Sequence, residues 1–143
     1  MAAPKIYQRL KTTVTVKPTI EPLSLHEVKK HLEISPSEDA HDEQLAMLLH
    51  TASEQWEHDT DSSLMLQTRK LLVSDFADEL TLPLGPIQSI VHVKYYDTGN
   101  TLRTLANTVY TFDSDYGYLR LKYGQEWPSV CDRFDAVEVQ YTC

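Results

Sequence analysis

Between Asp42 and Asp59 the apolar residues Leu45, Leu48, Leu49, Ala52 and Trp56 recur at i, i+3, i+4, i+7 and i+11, the spacing of one helical stripe. At about 100° per residue they fall within roughly 100° of arc, and His50, Glu54, Glu57 and His58 fall opposite. The pattern predicts one long amphipathic helix. Its Trp56 is expected to anchor the packing, because truncating a buried Trp costs about 3–5 kcal/mol. Ahead of it, Ser24-Leu25-His26-Glu27 reads as a capping box that opens a shorter helix with Leu25, Val28 and Leu32 on one stripe, ending near Ile34 before Pro36. Ser37 to Asp42 then supplies acids where the positive end of the long helix's dipole favours them.

Elsewhere the period is two. Residues 6–17 place Ile6, Leu10, Val14 and Val16 on one side and Tyr7, Arg9, Lys11, Thr13, Thr15 and Lys17 on the other, an amphipathic strand with a basic face. Pro18 and Pro22 bracket a linker that separates this strand from the two helices. After residue 64, Leu80, Leu82 and Leu84 alternate up to the Gly85-Pro86 turn, and Ile87, Val91, Val93 and Tyr95 share a face up to the turn at Asp97-Thr98-Gly99-Asn100. Val109–Asp113, Leu119–Tyr123 and Val137–Tyr141 complete the strands, while Met65–Val73 alternates poorly and leaves its register open.

Two helices followed by five to seven antiparallel strands give an α+β fold, a two-helix segment packed on a β-sheet or sandwich module. The expected division is an extended arm over residues 1–20, a helical segment over 21–63 and a β module over 64–143, with 21–143 as one compact domain. The long helix is expected to cover the sheet, its Leu45/Leu48/Leu49/Trp56 stripe lying on the Ile87–Tyr95 and Val137–Tyr141 strands.

Length changes little in this picture, since 143 residues suffice for one core without disulfide or metal. The spacing of Cys131 and Cys143 fits no metal pattern, and two free thiols is the plain reading. No apolar run could span a bilayer and the first residues lack a secretory core, so the chain is expected to stay in the cytoplasm where it is made. Charge is more informative. The net charge of −8 divides into four bases and no acid over residues 1–20, eleven acids against Lys29 and Lys30 over 21–63, and ten acids against seven bases beyond. So acidic a chain is a poor candidate for gripping phosphates.

Residues that could carry chemistry are few. His50, Glu54 and His58 stand at i, i+4 and i+8, three metal-capable groups on one helical side, but that side lies opposite the apolar stripe and reads as solvated. His26, His31, His41 and His92 have no partner spacing. The four glycines all fall at turns, so there is no phosphate loop, and neither Ser89 nor Ser129 sits in a nucleophile elbow. Trp127, Tyr95 and Tyr96 read as packing aromatics. No catalytic residue, cofactor site or metal site is assigned.

Five stretches in order resemble the head–tail connector (adaptor, or head-completion) proteins of tailed bacteriophages. They are Pro22 to Leu32; Glu38-Asp39 with the long helix and Leu66-Gln67-Thr68; Leu82-Pro83-Leu84-Gly85-Pro86-Ile87-Gln88-Ser89-Ile90; Tyr123-Gly124-Gln125-Glu126-Trp127-Pro128; and Ala136 to Val139. The resemblance runs from about residue 14 to 142. It implies a structural protein and not an enzyme: a ring, twelvefold to match the portal, between the portal protein and the tail-side stopper or tail-terminator protein. DNA would pass through its channel without sequence-specific binding. It further implies a place in the virion neck, after assembly in the host cytoplasm, with no cofactor and no membrane. Family members usually continue into C-terminal helices, whereas this sequence stops at Cys143, and residues 1–13 reach beyond the usual start; both departures bear on the oligomer contacts. The alternative is a small phage- or bacterium-encoded β-domain enzyme or ligand-binding module. The strand at the N-terminus, through Ile6, Tyr7, Arg9, Leu10, Lys11, Val14 and Val16, is expected to contact a neighbouring subunit, since an isolated strand needs a partner for its amides.

Overall fold

The computed structural model describes residues 11–143, which form β1 (Lys11–Val16), α1 (Leu25–His31), α2 (Asp42–Thr60), β2 (Thr68–Val73), β3 (Glu79–Thr81), β4 (Ser89–Tyr96), β5 (Leu102–Thr104), β6 (Tyr110–Asp113), β7 (Tyr118–Leu121) and β8 (Val137–Thr142). The strands fall into two antiparallel sheets, one in the order β1-β2-β8-β4-β5 and one in the order β3-β7-β6. The fold is α+β.

The core lies between these sheets. Strand β8 occupies the centre of the larger one, and its alternation turns Val137, Val139 and Tyr141 fully inward. Leu71 and Val73 of β2 and Val93 of β4 continue that surface, and Leu80, Leu119 and Tyr110 of the smaller sheet belong to the same cluster with Phe76, Leu82, Ile87 and Leu105. Each such aliphatic side chain contributes about 1.5–3 kcal/mol by leaving water. Phe76 stacks on Trp127 at 4.5 Å and meets Tyr95 edge-on at 6.0 Å, so these aromatics are packing residues. On the outer face of the larger sheet, Glu138 bridges His92 at 2.9 Å and Lys70 at 3.4 Å across three adjacent strands.

Several expectations are corrected. The Leu45/Leu48/Leu49/Trp56 stripe does not cover β4 and β8: α2 has no buried residue and contributes nothing to the core. The apolar faces of the two sheets share one core, so the smaller sheet takes the covering place expected for the helix. Val91 does not share a face with Val93, because a bulge between Ile90 and His92 shifts the alternation, turning Ile90 towards the core and Val91 out to solvent. The shorter helix stops at His31, before the left-handed Glu33. Nor do Pro18 and Pro22 isolate the N-terminal strand. Residues 11–16 pair with β2 of their own chain, from Lys11 opposite Leu72 to Val16 opposite Thr68, with an irregularity at Thr15. That pairing also fixes the register of β2 that its sequence left open.

Candidate assembly surface

The helical pair is joined through Lys29. Its ammonium group, nearly all buried, donates to the carbonyl of Glu38 at 2.6 Å and pairs with Asp42 at the start of α2. Ser24 opens α1 as a true capping box: its hydroxyl accepts from the Glu27 amide at 3.2 Å and its own amide donates to Glu27 at 2.8 Å. These bonds hold the Glu27 carboxyl below its ordinary value, the backbone bond first.

Helix α2 approaches the sheets with its polar side. Glu57 is the point of attachment: Oε1 accepts from the Leu64 amide at 2.8 Å and from Gln67 Nε2 at 3.1 Å, and Oε2 lies 3.5 Å from Arg69 Nη2. Below the helix, Asp61 Oδ1 accepts from the Leu84 amide at 3.2 Å, and Ser63 bonds the carbonyls of Gly85 through its amide and of Leu84 through its hydroxyl. A groove of about 460 Å³ separates α2 from β1 and β2, lined among others by His50, Glu54, Glu57, His58, Lys17 and Arg69. The His50/Glu54/His58 side borders this groove and is exposed to solvent, as its place opposite the apolar stripe suggests, and His50 lies 3.3 Å from Glu21 and 3.4 Å from Glu54. Among the described residues no group of three or more His, Cys, Asp or Glu is placed to hold a metal ion.

Because the polar side faces the sheets, the apolar stripe is split. Leu45 and Leu49 are half-buried, while Leu48, Ala52 and Trp56, one above the other at i, i+4 and i+8, stand exposed, Trp56 at 46%. Leu23 and Leu32, which flank α1, are exposed as well.

At the other edge of the larger sheet, the end of β4 and the start of β5 carry a second surface. Asp97 caps the turn by accepting from the amides of Gly99 and Thr101, each at 3.0 Å, and from Arg103 at 2.9 Å, which together hold its carboxyl below the usual range, the Thr101 bond most. Alongside runs the loop before β8, its Cys131 amide donating to the Tyr96 carbonyl at 3.1 Å. Arg133 fastens this loop four ways. It donates to both oxygens of Asp135 at 2.6 and 2.8 Å and to Asn100 Oδ1 at 3.0 Å, and its guanidinium lies 3.7 Å from the centre of the Tyr96 ring. The next residue, Phe134, is 94% exposed.

Of the N-terminal contact residues, Ile6, Tyr7, Arg9 and Leu10 lie outside the described residues. Lys11, Val14 and Val16 lie on β1, one edge of the larger sheet, with Val14 and Val16 exposed. Phe134 was not singled out by the sequence pattern. The signal available was one large apolar residue among Asp132, Arg133 and Asp135, outside any periodic run.

Among known families, one described as "Phage gp6-like head-tail connector protein" matches residues 22–116, from the helical pair into the β6–β7 turn. A chain in the solved structure "Neck of empty GTA particle computed with C6 symmetry" is similar with a TM-score of 0.75 at 19% identity, over 93% of this chain and 70% of that one. A second, from "Virion of native gene transfer agent (GTA) particle", has a TM-score of 0.73 at 20% identity, over 92% and 70%. A third, from "Neck of native GTA particle computed with C12 symmetry", has 0.67 at 21% identity, over 94% and 68%. At these identities the likeness is one of fold. No curated protein matches the chain.

Proposed function

Because this chain belongs to the phage gp6-like head-tail connector family, we propose that it builds the connector ring between the portal vertex of a DNA-filled capsid and the tail-side completion proteins. The family is structural, and the chain is not an enzyme. The observation that carries the reading is the family match, which takes in the helical pair and strands of both sheets. In support, the similar chains come from neck and virion structures of a phage-like particle, one of them treated with twelvefold symmetry. Twelve copies would match a portal. The neck of the virion is then the protein's place, reached by assembly in the host cytoplasm, and its neighbours are portal protein, the stopper or tail terminator, and further copies of itself.

The charge suits that role. A net charge of −8 keeps duplex DNA from adhering to the wall of a channel it must pass. Among the described residues β1, with Lys11, Val14 and Val16, is an edge strand with no strand on its outer side, which supports a contact between subunits made by it and the residues before it.

The test is to mix the full-length protein with rings of the portal protein from the same phage or prophage and image the product. A ring of additional density on the tail-facing end of the portal supports the reading. Portal rings that stay bare at micromolar protein concentration overturn it.

A further inference from the structure

Two apolar features that have no partner among the described residues lie at opposite edges of the larger sheet. The helical pair, with its Leu48–Ala52–Trp56 row, is fastened at the β1–β2 side through Glu57, Gln67 and Arg69. Phe134 projects at the β4–β5 side, where Tyr96 lies under Arg133 and pairs in register with exposed Leu102. The two outer strands are four strand spacings apart, roughly 19 Å at about 4.8 Å each. Surfaces so placed cannot meet within one molecule, but they can meet between successive copies.

Resting on the proposed ring, we infer that the Phe134 loop of one copy seats on the Leu48–Ala52–Trp56 row of the next. Three observations favour this occupant. The Phe134 backbone is held by the four contacts of Arg133, so little freedom remains to be lost when the ring docks. Charge disfavours the self-complementary alternative: residues 21–63 carry eleven acids against two lysines, and two such flanks repel. The Phe134 side is balanced, with Lys94, Arg103 and Arg133 against Asp97, Asp132 and Asp135, so it can approach the acidic flank without that repulsion. Finally, a contact between two different patches repeats head to tail, the kind of contact that closes a ring. Aromatic side chains in such contacts are the usual energetic centres.

The test uses the full-length chain with Cys131→Ser, so that the neighbouring thiol does not interfere. In that background, Ala52→Cys and Phe134→Cys are prepared separately and together, and oxidised both at high concentration and on portal rings. The expected result is a 52–134 link when the single variants are mixed, and a ladder of multimers from the double variant. Phe134→Ala should assemble about 30-fold more weakly at each contact while its thermal midpoint stays that of the unmodified chain, since Phe134 is outside the core. If Ala52→Cys links to itself as fast as to Phe134→Cys, the contact is self-complementary and the inference fails. Rings that form on portal without a 52–134 link, and that Phe134→Ala leaves unchanged, overturn the inference while the ring reading stands. If no ring forms under any condition, both fall.

Discussion

Replacing Glu57 with Ala removes the acceptor that ties α2 to the sheets, and should free the helical pair while leaving the sandwich folded. The carboxylate takes the Leu64 amide at 2.8 Å and Gln67 Nε2 at 3.1 Å, with Arg69 at 3.5 Å, and both Glu57 and Arg69 are mostly buried. Hydrogen bonds to a charged group are each worth about 1.5–3 kcal/mol. Here the Arg69 contact is long, Gln67 keeps its bond to Ser63 at 3.1 Å, and water can reach the Leu64 amide. The resulting loss is about 2–3 kcal/mol, a factor of roughly 30–150 in the opening equilibrium of the helices. Because no residue of α2 belongs to the core, the loss should be local. Hydrogen exchange reads it directly: amides of α2 such as Leu49 and Ser53 should exchange faster by that factor, while Val139 in β8 keeps its protection. Glu57→Gln, which retains one acceptor oxygen, should fall between. Equal loss of protection in α2 and β8 would show that the helices fold with the sandwich as one unit and would refute the reasoning; so would unchanged exchange in α2.

Trp56→Ala in the free chain should cost less than about 1.5 kcal/mol by urea denaturation, whereas Leu119→Ala, at a fully buried position between the sheets, should cost about 2–5 kcal/mol; a reversed ranking would put α2 back in the core. Burial raises the Glu138 carboxyl, but its bonds to His92 and Lys70 outweigh that and leave it below the ordinary value of 4.5. Its contribution is therefore complete above about pH 4.5 and lost as pH falls through the lowered value, so Glu138→Gln should flatten the acid side of a plot of thermal midpoint against pH, and an unchanged slope would contradict the bridge. Gly117 sits at φ +69 in the turn between β6 and β7, where its carbonyl accepts from the Leu82 amide at 2.8 Å. Gly117→Ala should destabilise by about 1–2 kcal/mol in the same denaturation assay, from the left-handed backbone alone, since the nearest atom to an added Cβ is 3.7 Å away.

What the sequence made legible were signals confined to one element. The Ser24–Glu27 box, the start of α2 at Asp42 and the alternation of Val137, Val139 and Tyr141 each need only neighbouring residues to be seen, and each is present as read. What stayed hidden depends on partners far along the chain. Nothing in Leu80 or Leu119 says that their strands form a separate sheet sharing a core with β8, and while sheet and sandwich fit the pattern equally, the α2 stripe looks like the cover of the β4 and β8 strands. The bulge after Ile90 is set by pairing with β8, so Ile87, Val91, Val93 and Tyr95 look like an unbroken face until that register is known. Strand β5 is three exposed residues, Leu102-Arg103-Thr104, with no alternation to find. Phe134 escaped for a related reason: its display depends on Arg133 reaching Asn100 and Tyr96, more than thirty residues earlier.

The position of β8 sets a timetable for synthesis. It is the strand through which β2 and β4 are joined, yet it is translated after both. From the end of β4 at Tyr96 to the end of β8 at Thr142, a ribosome working at 5–20 residues per second needs roughly 2–9 s. Through that interval the β8-facing edges of β2 and β4 are open and their apolar faces uncovered. A nascent chain in this state is the form most exposed to chaperones, to proteases and to pairing with its own kind on a polysome. A chain cut short before Val137 would leave Leu71, Val73 and Val93 without the strand that sits between them. The larger sheet is therefore closed only once β8 has been made, and until then β2 and β4 have no strand to join them.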